Sequence, residues 1–326
     1  MAQSTLPSYR MKAPNRFVAA VVLAGLLGGL AVVRPAAAGA NWATLEPVPV
    51  PRSEVASSVQ AGKIVIVGGF LADGRSSRQA DVYDPQTDRW SSLPDLPVAV
   101  NHPMAAADAK RVFVVGGYRE GEALADSFVY ENGSWRRLPS LPQPRAAGGA
   151  AVVGGKLYVV GGVVAQGRLA REAYAYEPAR RRWTAIEGPS PREHLGVAAY
   201  GGRIYAVGGR SAGFDTNSDL VEALRPGADH WTELPRLPDR RGGTALAAGN
   251  GLLVSVGGEE PAGTIAEVYG YDIRRGEWRR LADLPTPRHG LGLEVVGSRV
   301  YAIAGGPEPG LTVSGVNEAL RLPAGL

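Results

Sequence analysis

The six tryptophans of this chain are evenly spaced, at Trp42, Trp90, Trp135, Trp183, Trp231 and Trp278, with intervals of 48, 45, 48, 48 and 47 residues. A second marker of different chemistry keeps the same beat. A pair of small residues ends an apolar run at Gly68-Gly69, Gly116-Gly117, Gly161-Gly162, Gly208-Gly209, Gly257-Gly258 and Ala304-Gly305. A period of this length, held six times, means one supersecondary unit stacked on copies of itself to bury a shared core. Six such units fill residues 41–326, which leaves no room for a second domain.

The third unit shows the internal pattern. It reads RAAGGAAVV, a Gly154-Gly155 turn, KLYVVGG, a loop, EAYAYEP, a short polar turn and WTAI. Each apolar run is short, rich in Val, Tyr, Ile and Leu, and bounded by Gly, Pro or Asp, which are strand signals. Four short strands per unit, six times over, predict an all-β six-bladed β-propeller. The Trp-Asp class of propellers is disfavoured because the chain has no Trp-Asp dipeptide.

VVGG followed by VYDPQTDRWSSLPDLP in the first unit resembles the kelch repeat, and the resemblance spans the whole of 41–326. Leu224 and Leu320 depart from it where other units have Tyr83, Tyr130, Tyr176 and Tyr271, and Ala304 replaces a glycine. The phase of the repeat also predicts how the ring closes. The first repeat residue, Trp42, belongs to a fourth strand, and the chain ends on a third-strand segment, so Asn41 to Glu46 should complete the last blade beside Val316 to Leu322. Closure of this kind removes an exposed strand edge.

Composition separates two regions. The chain carries 35 Lys and Arg against 31 Asp and Glu, a formal charge of +4. Residues 1–40 hold Arg10, Lys12, Arg16 and Arg34 and no acidic residue, so the whole excess sits there. That segment has a basic start, an apolar run from Phe17 to Val33 and a small-residue tail through Ala38-Gly39-Ala40, the pattern of a signal peptide. Residues 1–40 are therefore expected to be removed between Ala38 and Asn41, giving a periplasmic or secreted protein with no membrane span in the mature chain. The remaining body is formally neutral, which argues against nucleic acid as a partner. Zero cysteines exclude disulfides, thiolate nucleophiles and zinc-thiolate sites. They also exclude the cysteine-tyrosine chemistry of copper-radical oxidases, which share the propeller architecture.

The long, blade-specific loops between second and third strands lie on the same face as the connections from one blade to the next. Function on a rigid scaffold usually sits on such loops. On that face, sixteen residues before each small pair, stand Arg52, Val100, Arg145, Arg192, Arg241 and Arg288. Arginine offers a rigid donor fork for carboxylate or phosphate. Arg52, Arg145, Arg192, Arg241 and Arg288, with His102, are the expected ligand-binding residues, lining a mouth for an anionic glycan, a sugar acid or a protein loop. The competing reading is internal: the kelch resemblance implies an arginine here in many blades, paired with neighbouring carboxylates or loop carbonyls.

The expected function is a monomeric protein- or glycan-binding module. Exported bacterial kelch propellers include sialic acid mutarotases, and the resemblance makes a cofactor-free sugar-acid mutarotase or epimerase the alternative. In that case His194 or Glu54 would be the acid-base catalyst. No cofactor and no metal site are expected, because His102, His194 and His289 come from blades 2, 4 and 6 and would have to meet across the opening.

Overall fold

The computed structural model describes residues 41–323. The expected signal peptide at 1–40 lies outside the described residues. Among the described residues no helix is long and apolar enough to cross a membrane.

Six four-stranded antiparallel sheets form the blades of the predicted propeller. In blade 3, Gly149–Val153 is innermost, followed outward by Lys156–Val160, Glu172–Glu177 and Arg182–Glu187. The other blades repeat this order. The second strands are buried along nearly their whole length, as in Lys63–Val67 and Arg203–Val207, where every residue after the first is buried. These strands read as continuous apolar runs because blades cover both of their faces.

The last blade closes as the phase predicted. Trp42–Thr44 is the outer strand of the sheet that also holds Gly292–Val296, Arg299–Ile303 and Asn317–Arg321. Trp42 pairs with Leu320 and Thr44 with Glu318. The two ends of the repeat are thus hydrogen-bonded to each other.

All six tryptophans do one job. Each indole N–H donates to a backbone carbonyl of the preceding blade: Trp90 to Glu46, Trp135 to Pro94, Trp183 to Pro139, Trp231 to Glu187, Trp278 to Pro235 and Trp42 to Ala282, at 2.7–3.0 Å. In four blades the same tryptophan leans on the third-strand tyrosine, with ring centres 5.0–5.2 Å apart. A large apolar ring with one polar handle suits a seam that is greasy inside and needs a single hydrogen bond at its rim. The repeat marker is therefore the blade-to-blade fastening.

Inner strands crowd the axis and use small residues there. A Cβ on Gly149 of blade 3 would collide with Val197 of blade 4. The walls of the axial channel, about 340 Å³, accordingly carry Ala56, Ser58, Ala107, Ala151 and Ala247.

Candidate functional site

The five arginines do not line the mouth, and this corrects the expectation for Arg52, Arg145, Arg192, Arg241 and Arg288. Each is at most 2% exposed. Each folds back into its own blade and donates to the carbonyl sixteen residues on: Gly68, Gly161, Gly208, Gly257 and Ala304. Four also hold a carboxylate, Asp81, Glu222, Asp239 and Glu318 respectively for Arg52, Arg192, Arg241 and Arg288. Arg288 shows the full set, with donors to Thr286, Ala302 and Ala304 carbonyls at 2.6–2.9 Å and to Glu318 at 2.6 Å. The fork satisfies carbonyls that the small-residue turn leaves unpaired within a blade, so the internal reading wins.

Two residues further along the chain the direction reverses. Glu54, His102, Ala147, His194, Gly243 and Gly290 occupy equivalent positions, and all six have the left-handed backbone, with φ between 49° and 69°. Their peptides form a hoop around the axis. His102 N–H donates to Glu54 O, Ala147 to His102, His194 to Ala147, Gly243 to His194 and Gly290 to Gly243, at 2.8–3.2 Å. Val55 N–H closes it on Gly290 O at 3.3 Å. A left-handed residue turns its side chain off the strand, here toward the axis.

Glu54, His102 and His194 therefore converge, and the expectation that histidines of different blades stay apart is corrected for His102 and His194. His102 Nε2 lies 3.1 Å from Glu54 Oε2 and 3.0 Å from His194 Nε2. His194 Nε2 is 3.9 Å from the same carboxylate oxygen. His289 comes from the position after Arg288; its Nδ1 is 3.0 Å from Glu54 Oε1 and its Nε2 is 3.0 Å from the Glu308 carbonyl. Room for the Glu54 carboxylate comes from Gly290, where a Cβ would strike it.

Loop residues complete the plug. Glu193 Oε1 sits 3.3 Å from His194 Nδ1 and 3.2 Å from Arg210 Nε. Arg210 donates to Glu259 Oε1 at 2.8 Å, and Glu259 accepts from the Gly310 N–H at 3.0 Å. On the other side His102 Nδ1 lies 2.6 Å from Asn101 Oδ1.

Burial and charge pairing compete in the ionisation of this cluster, and burial prevails at His102. It pushes the His102 imidazole down to about 4, with the Glu54 charge only partly offsetting it. Burial alone would raise Glu54, but His102, His289 and His194 more than offset it and hold the carboxyl well below its usual range. The His289 imidazole, lowered by burial, is raised overall by its bond and charge interaction with Glu54.

Deeper in the channel stands Glu294, bonded by Ser57 Oγ at 2.8 Å; burial pushes its carboxyl up to about 7.

Above the hoop opens a bowl of about 900 Å³ between the loops of blades 1, 2 and 3. Phe70, Tyr118, Val163 and Val164 form its apolar part, and Arg75, Arg119 and Gln166 its polar rim. His102 lines both bowl and channel, edge-on between Phe70 and Tyr118, with ring centres 5.6 and 5.5 Å away. Blades 4 to 6 fill the corresponding space with Arg210 and Glu259.

Sequence reasoning did not assign Glu193, Arg210 and Glu259 to the site, although they hold repeat positions bridged in the same way in every blade, where the other blades carry different side chains such as Asn101, His289, Phe70 and Tyr118. The hoop itself carried a signal: counting fourteen back from each small pair gives Glu54, His102, Ala147, His194, Gly243 and Gly290.

Comparison with known proteins fits this architecture. The KLHDC2/KLHL20/DRC7 Kelch-repeats domain matches residues 39–188 and 139–306. Kelch-like protein terF of Aspergillus terreus is 29% identical over 306 residues, covering 86% of this chain and 66% of that protein. Kelch-like protein 35 of Mus musculus is 28% identical over 258 residues, 78% of this chain and 43% of that protein. The chain thus spans less than two thirds of these relatives' length. The solved structure of YjhT superposes with a TM-score of 0.73 at 17% identity, over 84% of this chain and 95% of that one, which is a likeness of fold. With the repeat, the six blades and the family match in agreement, the chain belongs to the kelch-repeat family.

Proposed function

We propose that this chain is an exported, monomeric binding module that holds an exposed segment of a partner protein in the bowl between blades 1, 2 and 3. The observation that carries the reading is the bowl itself, about 900 Å³ with an aromatic and aliphatic floor and a charged rim. Buried aromatic anchors surrounded by polar contacts are how protein interfaces concentrate their binding energy. A kelch propeller is consistent with such a role. The alternative, a sugar-acid mutarotase, loses its anion anchor, since the five arginine heads are engaged within their blades.

Cross-linking from photoreactive residues placed at Arg75 or Arg119 should trap one protein partner. Phe70→Ala with Tyr118→Ala should abolish the adduct, whereas Lys156→Ala on the opposite face should leave it intact. Adducts that survive loss of both aromatics would move the site elsewhere. Acceleration of sialic acid anomer exchange, followed by NMR, would restore the mutarotase.

A further inference from the structure

We propose that Glu54, His102 and His194 form a binding site for a divalent first-row transition ion of the zinc class at the centre of the hoop. The argument starts from lone pairs. His102 Nδ1 bonds the Asn101 side-chain oxygen at 2.6 Å, whereas His194 Nδ1 is buried 3.3 Å from the Glu193 carboxylate without a hydrogen bond to it. An imidazole whose Nδ1–H points at an acceptor presents a bare lone pair on Nε2. That fixes the lone pair of His102 on Nε2, and His194 Nε2 and Glu54 Oε2 lie within ligand distance of it and of each other.

Their mutual distances are 3.0, 3.1 and 3.9 Å. Ligand atoms around a tetrahedral ion with bonds near 2.0–2.1 Å stand roughly 3.3 Å apart. The observed separations bracket that value. Two imidazoles and one carboxylate form a donor set that zinc uses with a further position left open, and that iron(II) also accepts.

The groups behind the ligands fit as well. Metal-bound histidines hand their second N–H to a carboxylate or carbonyl, which fixes the ring. Asn101 stands where such an acceptor belongs and is itself held by Ser76 at 2.8 Å; behind His194 the Glu193 carboxylate, held by Arg210 at 3.2 Å, is the nearby group that a small rotation of the ring would bring into use. The backbone hoop positions all three ligands independently of side-chain packing. His102 also faces bowl and channel, so open coordination positions would be reachable from outside.

Glu54, Glu259 and His289 lie within ligand distance of one another too. There the polar atoms already have partners. Both His289 nitrogens face acceptors, so protons on both satisfy the ring, and Glu259 is bonded by Arg210 and Gly310.

The test uses protein without a polyhistidine tag, stripped with a chelator and titrated with zinc by calorimetry, with metal content checked by mass spectrometry. One ion per chain is expected. His102→Ala with His194→Ala should abolish binding, while His230→Ala on the surface should leave it unchanged. Asn101→Ala, which removes the acceptor behind His102 together with its bond to Ser76, should weaken zinc by about 10–100-fold. A folded wild type that takes up no zinc overturns the proposal whatever the variants do; the cluster is then a hydrogen-bonded ring, with the His102 proton shared and the Asn101 amide turned round. One ion retained undiminished by the double variant overturns it equally.

Discussion

Arg52 and Glu54 are separated by one residue, and so are Arg192 and His194, yet members of each pair play opposite parts. The arginine position is nearly invariant around the ring and points back into the blade, where it ties the loop to carbonyls of the same sheet. The position two residues on differs in chemistry from blade to blade and points at the axis. Uniformity marks what every blade must do for itself. Variation at a fixed backbone position marks what the ring does as a whole.

The comparison can be broken by stability measurements, from the largest effect to the smallest. Arg288→Ala leaves Glu318 as a buried carboxylate whose one remaining side-chain donor among the described residues is the Thr286 hydroxyl. Removing one partner of a buried pair costs about 3–5 kcal/mol, so thermal unfolding should fall by many degrees. A loss below about 1 kcal/mol would mean that the arginines are not the blades' internal braces.

Glu294 tests the axial side with a carboxylate that has a single donor. Its folded-state value of about 7 lies above the ordinary 4.5. The folded state therefore prefers the protonated form, and that stabilisation is fully present below about 4.5 and lost as pH rises through about 7. Glu294→Gln, which cannot ionise, should match wild type at the acid end of this window. At pH 8 it should be the more stable protein by about 1–3 kcal/mol, allowing for water in the channel. Parallel pH profiles for the two proteins would refute the shift.

The smallest change is expected at the hoop. His194→Ala, measured in metal-free protein, should cost roughly 1 kcal/mol, the scale of one hydrogen bond, because the backbone bonds of the hoop persist. Arg192→Ala in the same blade should cost several times more. Equal losses at the two positions would erase the distinction between them.

The fold was legible because its signal is repeated. Trp and Gly-Gly recur at one period, and the phase of Trp42 against Val316 was enough to predict ring closure. The arginines were misplaced for a physical reason. A long, flexible side chain at a strand start can reach the axis or fold back, and only the carbonyl sixteen residues on decides. Glu54, His102 and His194 were singled out, but their meeting depends on a left-handed backbone at non-glycine residues, which composition does not announce. Glu193, Arg210 and Glu259 sit at periodic backbone positions, but the residue type there changes from blade to blade, so the period locates them without announcing that they pair across blades.

The hoop of peptide bonds has one more consequence. Since its geometry is set by main-chain atoms, the four side chains mounted on it, Glu54, His102, Ala147 and His194, are fittings on a common collar. Three sockets hold donors, and Ala147, Gly243 and Gly290 are blanks whose backbones share the same left-handed turn. Ala147 is the blank that already accommodates a Cβ. An imidazole grafted there would meet the aperture at the same height as His102 and His194, which makes the collar a template for rewiring the chemistry of the axis without rebuilding a blade.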